Sequence, residues 1–252
     1  GYEGGDVSGI EIGYGGNIYF EGDVTCNGKF TFAELRYDTV VFAGGDGQQV
    51  SSDDELIALK RMRINKSEND VTLNIPMYIS TELMLDKGRL YSDTVNFLHI
   101  ADDGIATGAS DSSFVAGPVV KRGDDAFVFP IGDDNAFRAI EMEPPSSGTD
   151  EFMAQYFKYE QTAGDSVDTN YFHYLSQCDY WSFDRREGSS EVKAKFYFKA
   201  PGCGILDSAN IALARWDTDV WNNVDIGTFN GDCNDGNLET AYTLTAYGYF
   251  CI

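Results

Sequence analysis

Apolar and polar residues alternate with a period of two along most of this chain, which is the signature of half-buried strands. In Lys193–Ala200, Ala194, Phe196, Phe198 and Ala200 share one parity, while Lys193, Lys195, Tyr197 and Lys199 share the other. That is the pattern of an antiparallel strand with one wet face. Shorter runs of the same kind fall at Ile18–Phe20, Lys29–Phe32, Thr39–Phe42, Val71–Ile75, Glu82–Leu85, Phe127–Phe129, Phe152–Phe157, Ile211–Trp216 and Tyr242–Phe250, mostly bounded by Gly, Asp or Asn. The pattern predicts an all-β protein. One segment dissents: Ser52-Asp53-Asp54-Glu55 before Leu56, Ile57 and Leu59 reads as a capping box with an acidic first turn, and Lys60 and Arg61 as a basic last turn. A short helix is expected there, with a strand through Asn65 as the competing assignment.

The pattern changes near residue 100. Before it, strand pairs recur at an uneven spacing of about twenty residues, and phrases such as Val71–Ile75 and Glu82–Leu90 look like successive rungs of a β-solenoid. After it, the strands are longer and more aromatic, with Pro144-Pro145-Ser146-Ser147-Gly148 as a polar loop between two of them. The expected architecture is a short β-solenoid-like N-terminal part over residues 1–100, followed by an antiparallel β-sandwich over residues 101–252.

Composition narrows the function. The 252 residues carry 18 Lys and Arg against 41 Asp and Glu, a formal charge of −23, which disfavours nucleic acid and anionic membranes as partners. A hydrophobic fraction of 42% and an aromatic fraction of 14% set the chain apart from disordered acidic sequences. No apolar run reaches the roughly 20 residues of a membrane-spanning helix. The chain opens on Gly1 rather than Met, which is read as an exported product whose leader has been removed.

Catalytic signatures are weak. His99 and His173 are the only histidines, neither lies in a metalloprotease motif, and no nucleophile elbow, phosphate loop or dinucleotide fingerprint is present. With 41 acids, some pair falls at a glycosidase separation by accident, so carboxylate pairs carry no information. Trp181, Trp216 and Trp221 are expected in the core rather than on an exposed sugar-stacking platform.

Acidic loops offer oxygen ligands for calcium. Asp102-Asp103-Gly104 and Asp133-Asp134-Asn135 read as Asx-rich turns, and the 230–237 loop, with Asp232, Asn234, Asp235 and Asn237, is the candidate exception. No other cofactor is expected. The five cysteines show no zinc spacing. Cys203 and Cys233 bracket a strand and a hairpin, so a bridge between them would close a loop of about thirty residues, worth roughly 3–4 kcal/mol in the chain-entropy picture. Cys178 with Cys251 forms the natural second pair, leaving Cys26 as a buried inert thiol.

The stretch Ser112-Ser113-Phe114-Val115-Ala116-Gly117-Pro118-Val119-Val120-Lys121-Arg122-Gly123, continuing through Phe127-Val128-Phe129-Pro130-Ile131-Gly132-Asp133, resembles a pattern of large secreted surface proteins of Bacteroidota, among them adhesin-like and gliding-associated proteins. Cys178–Arg185 and Ala212–Trp221 look like two further strand segments of that family, and Val41–Gln49 and Leu83–Leu90 like its lead-in. The resemblance implies an exported, non-enzymatic surface role through the type IX secretion route. The family's usual C-terminal sorting domain is missing from the sequence, and the cysteines at 203, 233 and 251 are not part of its pattern. The resemblance also draws attention to Asp-Ser/Thr-aliphatic triplets, used for O-glycosylation in Bacteroidota, at Thr39, Thr94, Ser166 and Ser208.

Three function classes compete: a self-assembling subunit of a surface fibre, a monomeric adhesin or glycan-binding module, and a polysaccharide-degrading enzyme. The fibre reading rests on the two ends. Ile10 and Ile12 near the start, and Leu244, Ala246, Phe250 and Ile252 at the end, mark strands that would join a neighbouring copy by strand addition. The sequence-level expectation is therefore an extracellular homopolymer, with surface glycans as the other partner class.

Overall fold

The computed structural model describes residues 16–26, 39–53, 56–158, 166–173, 175–176, 178–199 and 210–252. The chain divides into two compact units, Gly1–Arg122 and Gly123–Ile252. No helix of the described residues is long and apolar enough to cross a membrane.

The first unit is a stack of coils. Its strands in chain order are β1 (Asn17–Phe20), β2 (Val24–Cys26), β3 (Thr39–Phe42), β4 (Gln48–Ser52), β5 (Ile57–Asn65), β6 (Val71–Leu73), β7 (Met77–Lys87), β8 (Leu90–Tyr91), β9 (Leu98–Ile100), β10 (Ile105–Thr107), β11 (Val115–Ala116) and β12 (Val119–Arg122). Odd and even strands alternate between two parallel sheets for most of the unit: β1, β3, β5, β7, β9 and β12 form one, and β2, β4, β6, β8 and β11 the other. β10 pairs with the C-terminal half of β7, whose N-terminal half pairs with β9.

Parallel in-register pairing stacks like on like. Ile18, Val40, Met62 and Leu83 form one column, and Phe20, Phe42, Ile64 and Leu85 another. In the opposite sheet Val24, Val50 and Leu73 line up, as do Gln48, Val71, Leu90 and Val115. From Val40 and Val50 onward these residues are buried, so each coil covers the apolar face of the next, which a single coil cannot do for itself. The coils run past residue 100 into β12, and the compact units divide at Arg122 and Gly123, later than the expected boundary.

The expected helix is a strand in its described part. Ile57–Asn65 pairs in parallel with β3 and β7. A register shift between Leu59 and Arg61 turns Ile57, Leu59, Met62 and Ile64 all inward, although their spacing breaks strict alternation. A bulge that inserts one residue has this consequence. Two flanking strands and four buried side chains outweigh a local capping preference, which amounts to about 1 kcal/mol.

The second unit is antiparallel. Its strands are β13 (Phe127–Phe129), β14 (Ile131–Asp133), β15 (Ala136–Phe137), β16 (Ile140–Met142), β17 (Glu151–Lys158), β18 (Asp179–Glu187), β19 (Ala194–Lys199), β20 (Leu213–Asp217), β21 (Val220–Val224), β22 (Ile226–Gly231), β23 (Asp235–Thr240) and β24 (Gly248–Cys251). Within the unit, one sheet runs β17-β18-β24-β20-β21. The other runs β13-β16-β19-β23-β22, and β14 and β15 form a hairpin.

Aromatic rings join the two sheets. Trp181 of β18 meets Phe196 of β19 edge-on with centroids 5.7 Å apart, Phe196 lies 4.8 Å from Phe250 of β24, and Phe129 of β13 lies 5.8 Å from Phe183 of β18. A second cluster, on Tyr180, Ala214, Trp221 and Cys251, is packed by Phe172, Val167 and Leu175. β18 therefore has both faces covered, and its residues from Asp179 to Phe183 are all buried rather than alternating.

Candidate functional site

The segment Ser112–Asp133, singled out by its resemblance, is the natural place to look for a site. Most of its described apolar side chains are packed inside, while Asp124 and Val128 are exposed. Ser113 is buried and its hydroxyl donates to Gly88 O at 2.7 Å; Phe114, Val115, Val119 and Val120 are fully buried. Gly117 has φ +141°, and a Cβ there would stand 2.1 Å from Ser92 O, so close approach of two coils requires glycine. Across that approach Ser92 N donates to Ala116 O at 3.2 Å, and the Ser92 hydroxyl donates to Pro118 O at 2.9 Å. Lys121 is fully buried, with Nζ donating to Ala101 O at 2.7 Å. Phe127 and Phe129 pack edge-on at 5.0 Å in the core of the second unit. Asp133 accepts from Lys158 N at 3.0 Å.

Two further polar clusters lie out of water, and neither has a signature in the sequence. In the first unit, Lys66 Nζ donates to Ala43 O at 2.7 Å and to Gln48 Oε1 at 2.6 Å, while Gln48 Nε2 donates to Phe20 O at 3.0 Å and Gly22 O at 2.6 Å. Both side chains are buried. The network ties backbone from successive coils at one corner of the stack. Burial pushes the Lys66 pKa down, while Asp46, Asp70 and Glu21 pull the other way. The stem of Lys66 packs against Gly88, which sits at φ +88° where a Cβ would come within 2.7 Å of it.

In the second unit, the Tyr156 hydroxyl donates to Asp179 Oδ1 at 2.5 Å, and Arg138 Nε lies 3.7 Å from the same oxygen. Arg138 also donates to Phe137 O and Lys199 O, and Trp181 Nε1 donates to Arg138 O at 3.1 Å. Burial raises the Asp179 carboxyl pKa against the opposing pull of Tyr156 and Arg138, and raises the Tyr156 phenol with help from the Asp179 charge. Both clusters pair most of their buried polar groups, as a packed interior requires, although Arg138 Nε meets Asp179 at ion-pair rather than hydrogen-bond distance. A lysine or arginine that a single sequence would place in solvent is here part of the interior.

The other candidates resolve individually. The candidate calcium loop is the turn between β22 and β23. Asp232 Oδ1 accepts from Asn234 N at 2.7 Å and Asp235 N at 3.3 Å, which depresses its pKa, and Asn237 Oδ1 accepts from Asn230 Nδ2 at 3.4 Å. These are the bonds of an Asx turn. Asp133 and Asp134 form the β14–β15 turn and hold Lys158.

Among the sequons, Thr39 is buried in β3, Thr94 and Ser166 are exposed, and Ser208 lies outside the described residues. Trp181 and Trp221 are fully buried, and Trp216 meets Trp221 edge-on with centroids 5.5 Å apart. His99 packs edge-on against Tyr78 at 5.0 Å.

Both expected disulfide pairings are corrected. Cys26, Cys233 and Cys251 are not in a disulfide, so neither Cys203–Cys233 nor Cys178–Cys251 forms. Cys178 is disulfide-bonded, but no bridge joins two described cysteines, and Cys203 lies outside the described residues. Bracketing a strand and a hairpin does not fix whether two Cβ atoms face each other. Burial keeps the Cys251 thiol protonated.

The C-terminal stretch behaves differently from an unpartnered assembly strand. β24 lies between β18 and β20, with Phe250 opposite Trp181 on one side and Arg215 on the other. Leu244 N donates to Val192 O at 2.8 Å, and Ile252 O accepts from Ser176 N at 2.9 Å. Leu244 and Phe250 are buried, while Ala246 and Ile252 are half-buried. The alternation expected to serve a neighbour completes the unit's own sheet. Ile10 and Ile12 lie outside the described residues. No family model, no curated protein and no solved structure matches this chain.

Proposed function

We infer that this chain is a non-enzymatic extracellular module, a monomeric adhesin-type or glycan-binding unit of a bacterial surface protein, built from a β-solenoid and a β-sandwich. The observation that carries the reading is the position of β24. A strand hydrogen-bonded on both sides within its own sheet is not available for donation to a second copy. This favours the monomeric module over the fibre subunit suggested by the apolar tail.

The burial of Ser113, Phe114, Val115, Val119 and Val120, and of Phe127 and Phe129, supports the same reading. The segment that resembles secreted Bacteroidota surface proteins works as framework, and its turns and packing need no catalytic role. The surface charge suits an exported protein that stays soluble and avoids nucleic acid and anionic lipid. Sedimentation velocity over a wide concentration range, with and without added calcium, tests the reading. A single boundary at the 27.8 kDa monomer mass is expected. Concentration-dependent growth into polymers returns the fibre subunit to first place, and reproducible release of reducing ends from a polysaccharide overturns the non-enzymatic part.

A further inference from the structure

The second unit carries an open groove of about 330 Å³ beside the turn from β21 to β22. Its polar walls are Arg215 on β20, Asn223 on β21, Asp225 just beyond it, and Tyr242, Thr243 and Thr245 on the segment that leads to β24. Ala241 N donates to Asp225 O at 2.7 Å and so ties the two walls together, and Leu244 N donates to Val192 O outside the groove at 2.8 Å. Asn223 Nδ2 donates to Asp225 Oδ1 at 3.1 Å, which sets an amide and a carboxylate side by side. Arg215 donates to Trp216 O at 3.0 Å, and its guanidinium lies 3.6 Å from Asp217, so its direction is fixed and its charge is offset. At this groove stands Tyr242, which is 72% exposed, the most open of the unit's large apolar side chains among the described residues.

We propose that this groove binds a neutral saccharide, with the apolar face of one sugar ring on Tyr242 and its hydroxyls held by Asn223 and Asp225. A sugar presents a flat C–H face and a rim of hydroxyls that both donate and accept. An exposed ring beside paired donors and acceptors is the complement of that surface. The volume is at the low end for small-ligand sites and suits about one or two sugar rings. Anionic ligands are disfavoured: Asp225 lies in the groove, Asp217 offsets Arg215, and the chain carries −23 overall. Flexible apolar ligands lack partners, since only Val224, Leu244 and Ala246 supply apolar lining besides the tyrosine ring. The proposal deepens the surface-module reading and rests on it for the absence of turnover.

Saturation-transfer NMR with cellobiose, maltose, lactose and N,N′-diacetylchitobiose as probes tests it on the intact chain. Transfer to at least one probe is expected, with the dissociation constant raised about tenfold or more in Tyr242→Ala and in Asn223→Ala. Tyr171→Ala removes another open tyrosine, 62% exposed and outside the groove, and serves as the control that leaves binding unchanged. No transfer to any probe, or transfer undiminished in Tyr242→Ala, overturns the proposal. Tyr242 is solvent-exposed, so its removal leaves the melting temperature in place. Sedimentation and reducing-end release on the same samples separate the two claims. A monomer without transfer sinks the groove alone, and cleavage of a bound probe sinks the non-enzymatic reading while sparing the groove.

Discussion

Lys66→Met removes the donor at the centre of the first unit's buried corner while nearly conserving the stem that packs on Gly88. Two acceptors lose it: Ala43 O at 2.7 Å and Gln48 Oε1 at 2.6 Å. A buried acceptor stripped of its partner costs about 1–3 kcal/mol. Methionine returns part of this through apolar burial, so the net loss is about 3 kcal/mol, a large share of the stability of an ordinary domain. Gln48→Leu orphans Gly22 O, while Phe20 O keeps its bond from Ala43 N at 2.8 Å, so the cost is smaller, about 1–3 kcal/mol.

Because the two side chains share one bond, the double variant costs less than the two single losses added together, with a coupling of about 1–2 kcal/mol. Urea unfolding followed by far-UV circular dichroism reads all three. Tryptophan fluorescence isolates the other unit, since Trp181, Trp216 and Trp221 all lie beyond Gly123. A Lys66→Met loss below about 1 kcal/mol, or strict additivity, refutes the claim that this lysine is a structural member of the coil stack.

Gly117→Ala places a Cβ 2.1 Å from Ser92 O at a φ of +141° and destabilises by several kcal/mol, about 3 or more, whereas Ala116→Ser beside it stays within about 1 kcal/mol; thermal melts of both decide it. For Asp179, burial sets the folded carboxyl pKa above its unfolded value, so the folded state holds that proton more tightly. The stability of the native protein relative to Asp179→Asn is then highest below the ordinary carboxyl pKa of 3.8 and declines as pH rises from there through the raised pKa; a difference that grows with pH over that window contradicts the assignment. With three of five cysteines not in a disulfide, one intrachain bridge is the maximum. Non-reducing intact mass falls about two hydrogens below the all-thiol value rather than four, and a deficit of four restores the two-bridge scheme.

The strands were the legible part of the sequence. Phe127–Phe129 appears with the ends its alternation implies, because it is a short apolar run bounded by turn residues. The coil stack was legible through its recurring phrases, although its extent was not: Val119–Arg122 reads locally like the strands that follow it, and only its pairing with β9 assigns it to the stack. The helix signal at Ser52–Arg61 misled because capping is a local preference and the parallel neighbours of β5 are distant in sequence.

The apolar tail shows the same limit in another form. Alternation marks Leu244 to Ile252 as strand-like and silently omits which strand it joins. Lys66, Lys121, Arg138 and Asp179 were illegible as interior residues, since nothing local distinguishes a buried charged side chain from a solvated one. Tyr242 was read as part of an assembly strand, whereas its 72% exposure beside Arg215, Asn223 and Asp225 gives it a different use.

The placement of β24 decides between a self-contained module and an assembling subunit, and amide hydrogen exchange measures it directly. In dilute monomeric protein, the account predicts that the Gly248–Cys251 amides exchange as slowly as those of Tyr180–Phe183 in the paired strand β18. Rapid exchange of the C-terminal strand in the monomer, becoming slow only as concentration rises, contradicts it.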